Sequence, residues 1–283
     1  MGIPVPVPGI RPGRPAFAPS ILTVARPIPG TEPGAVSPVE WRSGVASRTR
    51  TCVRGQAWPF CPVPGHADKC PPNTVGIQEW EPFTAELPDE CVSVFPGADE
   101  ERHVADRTAE LEALVPAQIA RQLWSGYEVP SNTSLVGDAV DLSGGGVNTT
   151  DFLSGVGILL EAYATVGQSG FPTLHVPELL HGVMAKHVQV TDTGLIYGPS
   201  RTSLVSVGPG YDGRTGPGGL VAPDGYAWMF VSGPVEYAID ARTRVLKEQA
   251  NARTNLWAAR FQRTCLVRIE DCGIFGVLVK VGS

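Results

Sequence analysis

Three sets of residues in this 283-residue chain are of types that do chemistry. The first is Cys52, Cys61, His66 and Cys70. Thiolates and an imidazole are ligands that zinc takes when four converge tetrahedrally. The spacing opposes that use, because no pair shows the close two-residue gap of a finger-type site. With Cys91, the same thiols form a set able to cross-link a loop-rich segment with little core of its own, or they stay unpaired. Cys265 and Cys272 read as core thiols flanking a strand turn. The second set is His175, His181 and His187, six residues apart. On a helix each such step turns about 240°, so the three share no face. They read as polar groups at helix ends and edges. The third is Gly208-Pro209-Gly210-Tyr211-Asp212-Gly213, which matches G-x-G-x-x-G. A dinucleotide site needs a helix to follow, and Arg214-Thr215-Gly216-Pro217-Gly218-Gly219 forbids one. A mobile surface loop is expected there. The chain carries no P-loop, no G-x-S-x-G elbow and no paired-carboxylate motif. No catalytic residue, metal ligand or cofactor site is therefore predicted, and the chain does not read as an enzyme.

The elements that hold these residues follow from periodicity and capping. Asp99 to Trp124 is the clearest helix. Val104, Thr108, Leu111, Val115, Ile119 and Leu123 recur at steps of three and four. Asp99 suits an N-cap, Glu100 and Glu101 suit the positive end of the dipole, and Gly126 suits the C-cap. Pro116 predicts a kink or a break. Residues 126–149 read as loop. A second helix is expected from Thr150 or Asp151 to about Val166, with Phe152, Val156, Leu159, Leu160 and Tyr163 inward. Thr173 to Val176 reads as a short buried strand, and Pro177 opens a third helix from Glu178 to His187. Strands are expected in 194–207, 227–240, 255–269 and 273–281. Helices and strands mix without βαβ alternation, so the class is α+β.

Composition adds where the chain is not compact. The 33 glycines and 27 prolines are about a fifth of the residues, against about 12% on average. Ten prolines fall within residues 1–40, which excludes helix and a full sheet ladder there. Val5, Ile10, Phe17, Ile21, Leu22, Val24 and Ile28 punctuate the same segment, as suits an arm laid across another surface. Residues 1–54 carry seven arginines and two glutamates, net +5, whereas 55–110 are net −8. Charge-complementary packing, within or between chains, is expected. The overall charge of −6 and pI near 5.4 oppose a whole-surface nucleic-acid binder. No apolar run approaches the roughly 18 residues of a spanning helix.

The order arm, loop, amphipathic helix, α+β middle and strand-rich end resembles the major capsid proteins of tailed bacteriophages, the HK97-like fold shared with encapsulins. The resemblance lies in Leu174-His175-Val176-Pro177-Glu178-Leu179-Leu180, in Thr191 to Tyr197 with Leu204 to Val207, and in Asn255 to Val267. Ser232-Gly233-Pro234-Val235 is similar to segments in virion structural proteins of actinobacterial phages. The resemblance implies an extended N-arm (1–50), an extended, cysteine-containing loop (51–98) and a spine helix of the peripheral domain (99–125). An axial domain (126–230) and peripheral-domain strands (231–283) follow. It implies a virion protein, assembled in the host cytoplasm, that forms hexamers and pentamers in an icosahedral shell around DNA. Arm and loop would contact neighbouring subunits, and arm arginines would touch DNA nonspecifically on the inner face. It implies no membrane, no catalysis and no cofactor. The alternatives are a connector, minor capsid or tail subunit, an encapsulin-like shell protein, or a soluble metal-binding or enzymatic domain.

Overall fold

The computed structural model describes residues 20–31, 41–48, 77–93, 98–166, 171–192, 194–251, 256–269 and 273–282. In chain order these form α1 (Ile21–Val24), β1 (Arg26–Pro27), β2 (Val45–Arg48), β3 (Ile77–Trp80), β4 (Phe83–Ser93) and α2 (Ala98–Ser125). Then come α3 (Leu135–Asp138), β5 (Val140–Asp141), α4 (Phe152–Thr165), β6 (Thr173–Val176), α5 (His181–Met184), β7 (Gln189–Val190), β8 (Ile196–Tyr197) and β9 (Leu204–Val207). The last strands are β10 (Tyr226–Ser232), β11 (Glu236–Ile239), β12 (Arg244–Asn251), β13 (Leu256–Arg268) and β14 (Phe275–Lys280).

A seven-stranded sheet runs β5-β14-β10-β6-β9-β8-β7. Its inner strands read as continuous apolar runs because both faces are covered. One face, with Leu174, Val205, Met229 and Val277, packs on Phe152, Val156, Leu159 and Tyr163 of α4. Asp151 starts that helix as expected, its carboxylate accepting the Ser154 N–H at 3.0 Å. Gly155 lets it lie close: a Cβ there would come within 2.9 Å of Val279. The opposite face presents Trp228, Phe230 and Leu278 to α2. Both edges of the sheet are two-residue strands, too short to template another chain. The third helix is shorter than expected: Pro177 caps a 3-10 turn, Glu178–Leu180, and α5 ends at Met184. Residues 126–149 include α3 and β5 as well as loop.

Helix α2 joins this sheet to the second one. Leu111, Val115, Ile119 and Leu123 are buried along one stripe, as the periodicity predicts. Gly126 closes the helix at φ +64°, its N–H donating to the Gln122 carbonyl. Pro116 lies inside the helix without ending it. It deletes one backbone bond, but buried Val115 and Ile119 on either side of it anchor the turn in the core.

The second sheet is built on β13, with β4 along one edge and β12 and β11 along the other; β1 adds to β11 in parallel. Ala259, Phe261, Cys265 and Val267 alternate toward α2 and share its core. Leu266 faces the other way, into a small cluster with Ile28, Trp41, Trp80 and Ala238.

Three boundaries differ from the sequence reading. β4 belongs to the extended-loop expectation by number, yet it pairs with β13 from Phe83–Cys265 to Ser93–Leu256. The ribbon that opens toward residues 49–76 is rooted instead by β2 and β3, with Arg48 opposite Ile77. Residues 231–283 divide between the sheets, because β14 pairs with β10 and not with β13. The arm expectation is also corrected for its described part. Ile21, Val24 and Ile28 are buried on the chain's own body. Arg26 and Ile28 donate their backbone N–H groups to the Val235 and Tyr237 carbonyls. An open edge on β11 offered this segment what a neighbouring copy was expected to supply. Residues 1–19 lie outside the described part.

Candidate functional site

A constellation of buried titratable and hydroxyl groups lies on the α2 side of the seven-stranded sheet. His175 of β6 is fully buried, with Nδ1 3.0 Å from the Tyr211 hydroxyl and Nε2 2.8 Å from Ser232 Oγ. The Tyr211 hydroxyl is also 2.8 Å from Ser206 Oγ, and Ser232 Oγ donates to the Gly233 carbonyl. β6, β9 and β10 supply His175, Ser206 and Ser232, and the 208–213 loop folds back to add Tyr211. Burial pushes the His175 imidazole down to about 3 and raises the Tyr211 phenol, against the Ser206 hydrogen bond that lowers it. A serine beside a histidine resembles a nucleophile and its base. Ser232 and His175 have no solvent-exposed surface, so no substrate reaches them, and the group holds structure together.

This corrects two sequence readings. His175 is a core residue of a central strand, not an edge group; only its hydrogen-bond partners make that position tolerable. His181 is exposed and His187 stacks on Phe152 at 6.0 Å, as polar groups at helix ends do. The G-x-G-x-x-G segment is packed, not a mobile surface loop. Tyr211 stacks on Trp124 with centroids 5.1 Å apart. A Cβ on Gly210 would lie 2.3 Å from the Ala117 carbonyl oxygen, and one on Gly213 2.7 Å from Pro177. The glycines permit close packing. The only sequence hint was the tyrosine, too large and apolar for a solvated turn.

The cysteine and histidine set Cys52, Cys61, His66 and Cys70 lies outside the described residues, as does Cys272, and Cys91 has no described side chain. Cys265 is buried as expected, and burial raises its thiol to about 12 despite Arg263 nearby. Such a thiol is unreactive. Among the described residues no group of three or more His, Cys, Asp or Glu side chains could hold a metal ion. Among them, too, no helix is long and apolar enough to cross a membrane.

What remains are surfaces. An open groove of about 570 Å³ lies between the start of β4 and the C-terminal half of α2, lined by Phe83, Glu86, Gln118, Arg121 and Tyr127. The Arg121 guanidinium covers the Tyr127 ring at 3.5 Å, and Gln118 donates to the Glu86 carbonyl on the free edge of β4. The β2–β3 ribbon leaves the body from a fixed root. Asn132 accepts the Glu81 N–H and donates to its carbonyl, both at 2.7 Å, as a neighbouring strand would. Arg268 lies over the Trp80 ring and pairs with Glu236, while Arg42 pairs with Asp240.

No family model matches the chain, and no curated protein resembles it significantly in sequence. Solved structures resemble it along its whole length. It covers 100% of itself and 96% of the capsid chain of a native GTA particle, with a TM-score of 0.58 and 13% identity. Against the capsid of Ralstonia phage GP4 the TM-score is 0.53 at 11% identity, over 100% of this chain and 99% of that one. A structure from Gordonia phage Cozz gives 0.51 at 13% identity, over 93% and 86%. The fold is therefore the α+β, HK97-like capsid fold.

Proposed function

We propose that this chain is a structural virion protein that assembles with copies of itself into the icosahedral head of a tailed bacteriophage. The observation that carries this reading is the extent of the fold match: 100% of this chain aligns with 96% and 99% of two capsid chains. In this reading α2 with the five-stranded sheet is the peripheral part, and the seven-stranded sheet with α4 gathers around the hexamer or pentamer axis. The N-terminal arm and the extended loop contact neighbouring subunits, the loop from its root at β2 and β3. Nonspecific contact with enclosed DNA falls to arginines and weakens with salt. The location is the capsid of the virion, after assembly in the host cytoplasm.

Electron microscopy of the purified protein tests this directly. Closed shells with fivefold vertices are expected. Rings or tubes would make it a connector or tail subunit instead. A monomer at every concentration and salt would overturn the proposal.

A further inference from the structure

One order of hydrogens fills every bond of the His175 group. In it Ser232 Oγ donates to the Gly233 carbonyl and accepts from His175 Nε2. Nε2 then carries the imidazole hydrogen, Nδ1 is a lone pair that accepts from the Tyr211 hydroxyl, and Ser206 donates to Tyr211. The bonds run one way, from Ser206 through Tyr211 and His175 to Ser232 and Gly233. A proton on Nδ1 breaks that order. Tyr211 would have to accept from the ring and turn its own hydrogen to Ser206, whose hydrogen then has no second partner among the described residues. No carboxylate compensates the cation. The groups facing the ring are Ser206 from β9, Phe230 and Ser232 from β10, and Tyr211, whose other side meets Trp124 of α2. The nearest ionisable groups along the loop are committed elsewhere: Asp212 accepts from Thr215 and the Arg214 N–H, and Arg214 pairs with Asp224 at 3.6 Å.

We infer that this ordered chain of hydrogen bonds is an acid-sensitive latch, which holds the 208–213 loop between the seven-stranded sheet and helix α2 while His175 is neutral and releases it when Nδ1 is protonated. The loop touches both partners. Tyr211 anchors it to the sheet, and Gly210 presses it onto the Ala117–Arg121 turn of α2, just past Pro116. Release therefore loosens the helix in the turn that follows Pro116. The latch is closed near neutrality. The opened ring titrates near 6.5 and the closed ring near 3, so the open population rises about tenfold per pH unit between those values.

Hydrogen exchange of the full chain, corrected for intrinsic rates, measures this. From pH 6 to pH 4 the peptides spanning 208–213 and 117–124 should lose protection about a hundredfold, ahead of peptides from α4. In His175→Gln, whose amide can donate to Ser232 and accept from Tyr211 without titrating, that acid loss should vanish. An equal acid loss in His175→Gln, or loss across the whole chain at once in the native protein, would overturn the latch. If His175→Gln does not fold, imidazole nitrogen NMR of the native protein decides. A hydrogen on Nε2 at pH 7 supports the assignment, and one on Nδ1 refutes it.

Discussion

Gly210→Ala probes the contact between the 208–213 loop and α2. The backbone there has φ +106°, a region L side chains avoid at a cost of roughly 1–2 kcal/mol. The new Cβ would also lie 2.3 Å from the Ala117 oxygen, 2.9 Å from the Ala120 Cβ and 3.1 Å from the Arg121 nitrogen. Two of these neighbours are helix backbone, so neither can rotate away, and overpacking of this kind adds about 1–3 kcal/mol. The sum is a loss of about 2–5 kcal/mol. Gly218→Ala separates the two contributions: its φ is +63°, yet nothing lies within 4 Å of the added carbon. That variant should lose only the backbone part. Urea unfolding of both variants against the native chain gives the difference from the midpoints, provided the slopes agree. If Gly210→Ala costs no more than Gly218→Ala, the loop is not pressed on the helix.

Two further variants test the ribbon root and the arm. Asn132→Ala removes both hydrogen bonds to the exposed Glu81 backbone, each worth about 0.5–1.5 kcal/mol net; Asn132→Asp keeps the acceptor and should cost less, by chemical denaturation. Arg42→Ala should make the protein's stability depend less on acid pH. Burial alone would raise the Asp240 carboxyl, but the Arg42 hydrogen bonds, the Arg242 N–H and the charges of Arg42 and Arg244 together outweigh it and hold the pKa below its usual value. Stability from that pair is complete above the ordinary carboxylate range and is lost as pH falls through the lowered value. Unfolding midpoints at pH 6 and pH 3 should therefore differ less in the variant; an unchanged difference would count against the pair.

Elements with one apolar stripe and a clear cap were legible in the sequence, and elements that depend on distant partners were not. α2 and α4 show their periodicity, and Asp151 and Gly126 mark real ends. The sequence of β12 mixes Arg244, Val245, Leu246 and Lys247 without strict alternation, because it is an edge strand paired only to β13 and its Leu246 is 47% exposed. β4 contains Pro88, which normally argues against a strand. The Glu86 carbonyl, two residues earlier, points away from β13 to Gln118, so Pro88 also lies on the free edge and its missing N–H costs no pairing. His175 was illegible for a different reason. Its two partners are 36 and 57 residues away, and nothing local distinguishes a paired core histidine from a solvated one. The fold itself was readable from the order of elements, whereas the places where chain segments press on one another were not.

The placement of β14 sets a schedule for synthesis. It lies between β5 and β10, and Val277, Leu278 and Val279 fill both cores. Until the ribosome has made residue 280, Trp228 and Met229 lack their cross-strand companions and α4 has only part of its bed. Nascent polypeptides still short of that point can complete neither core, so the last strand to be made is the one that closes the fold.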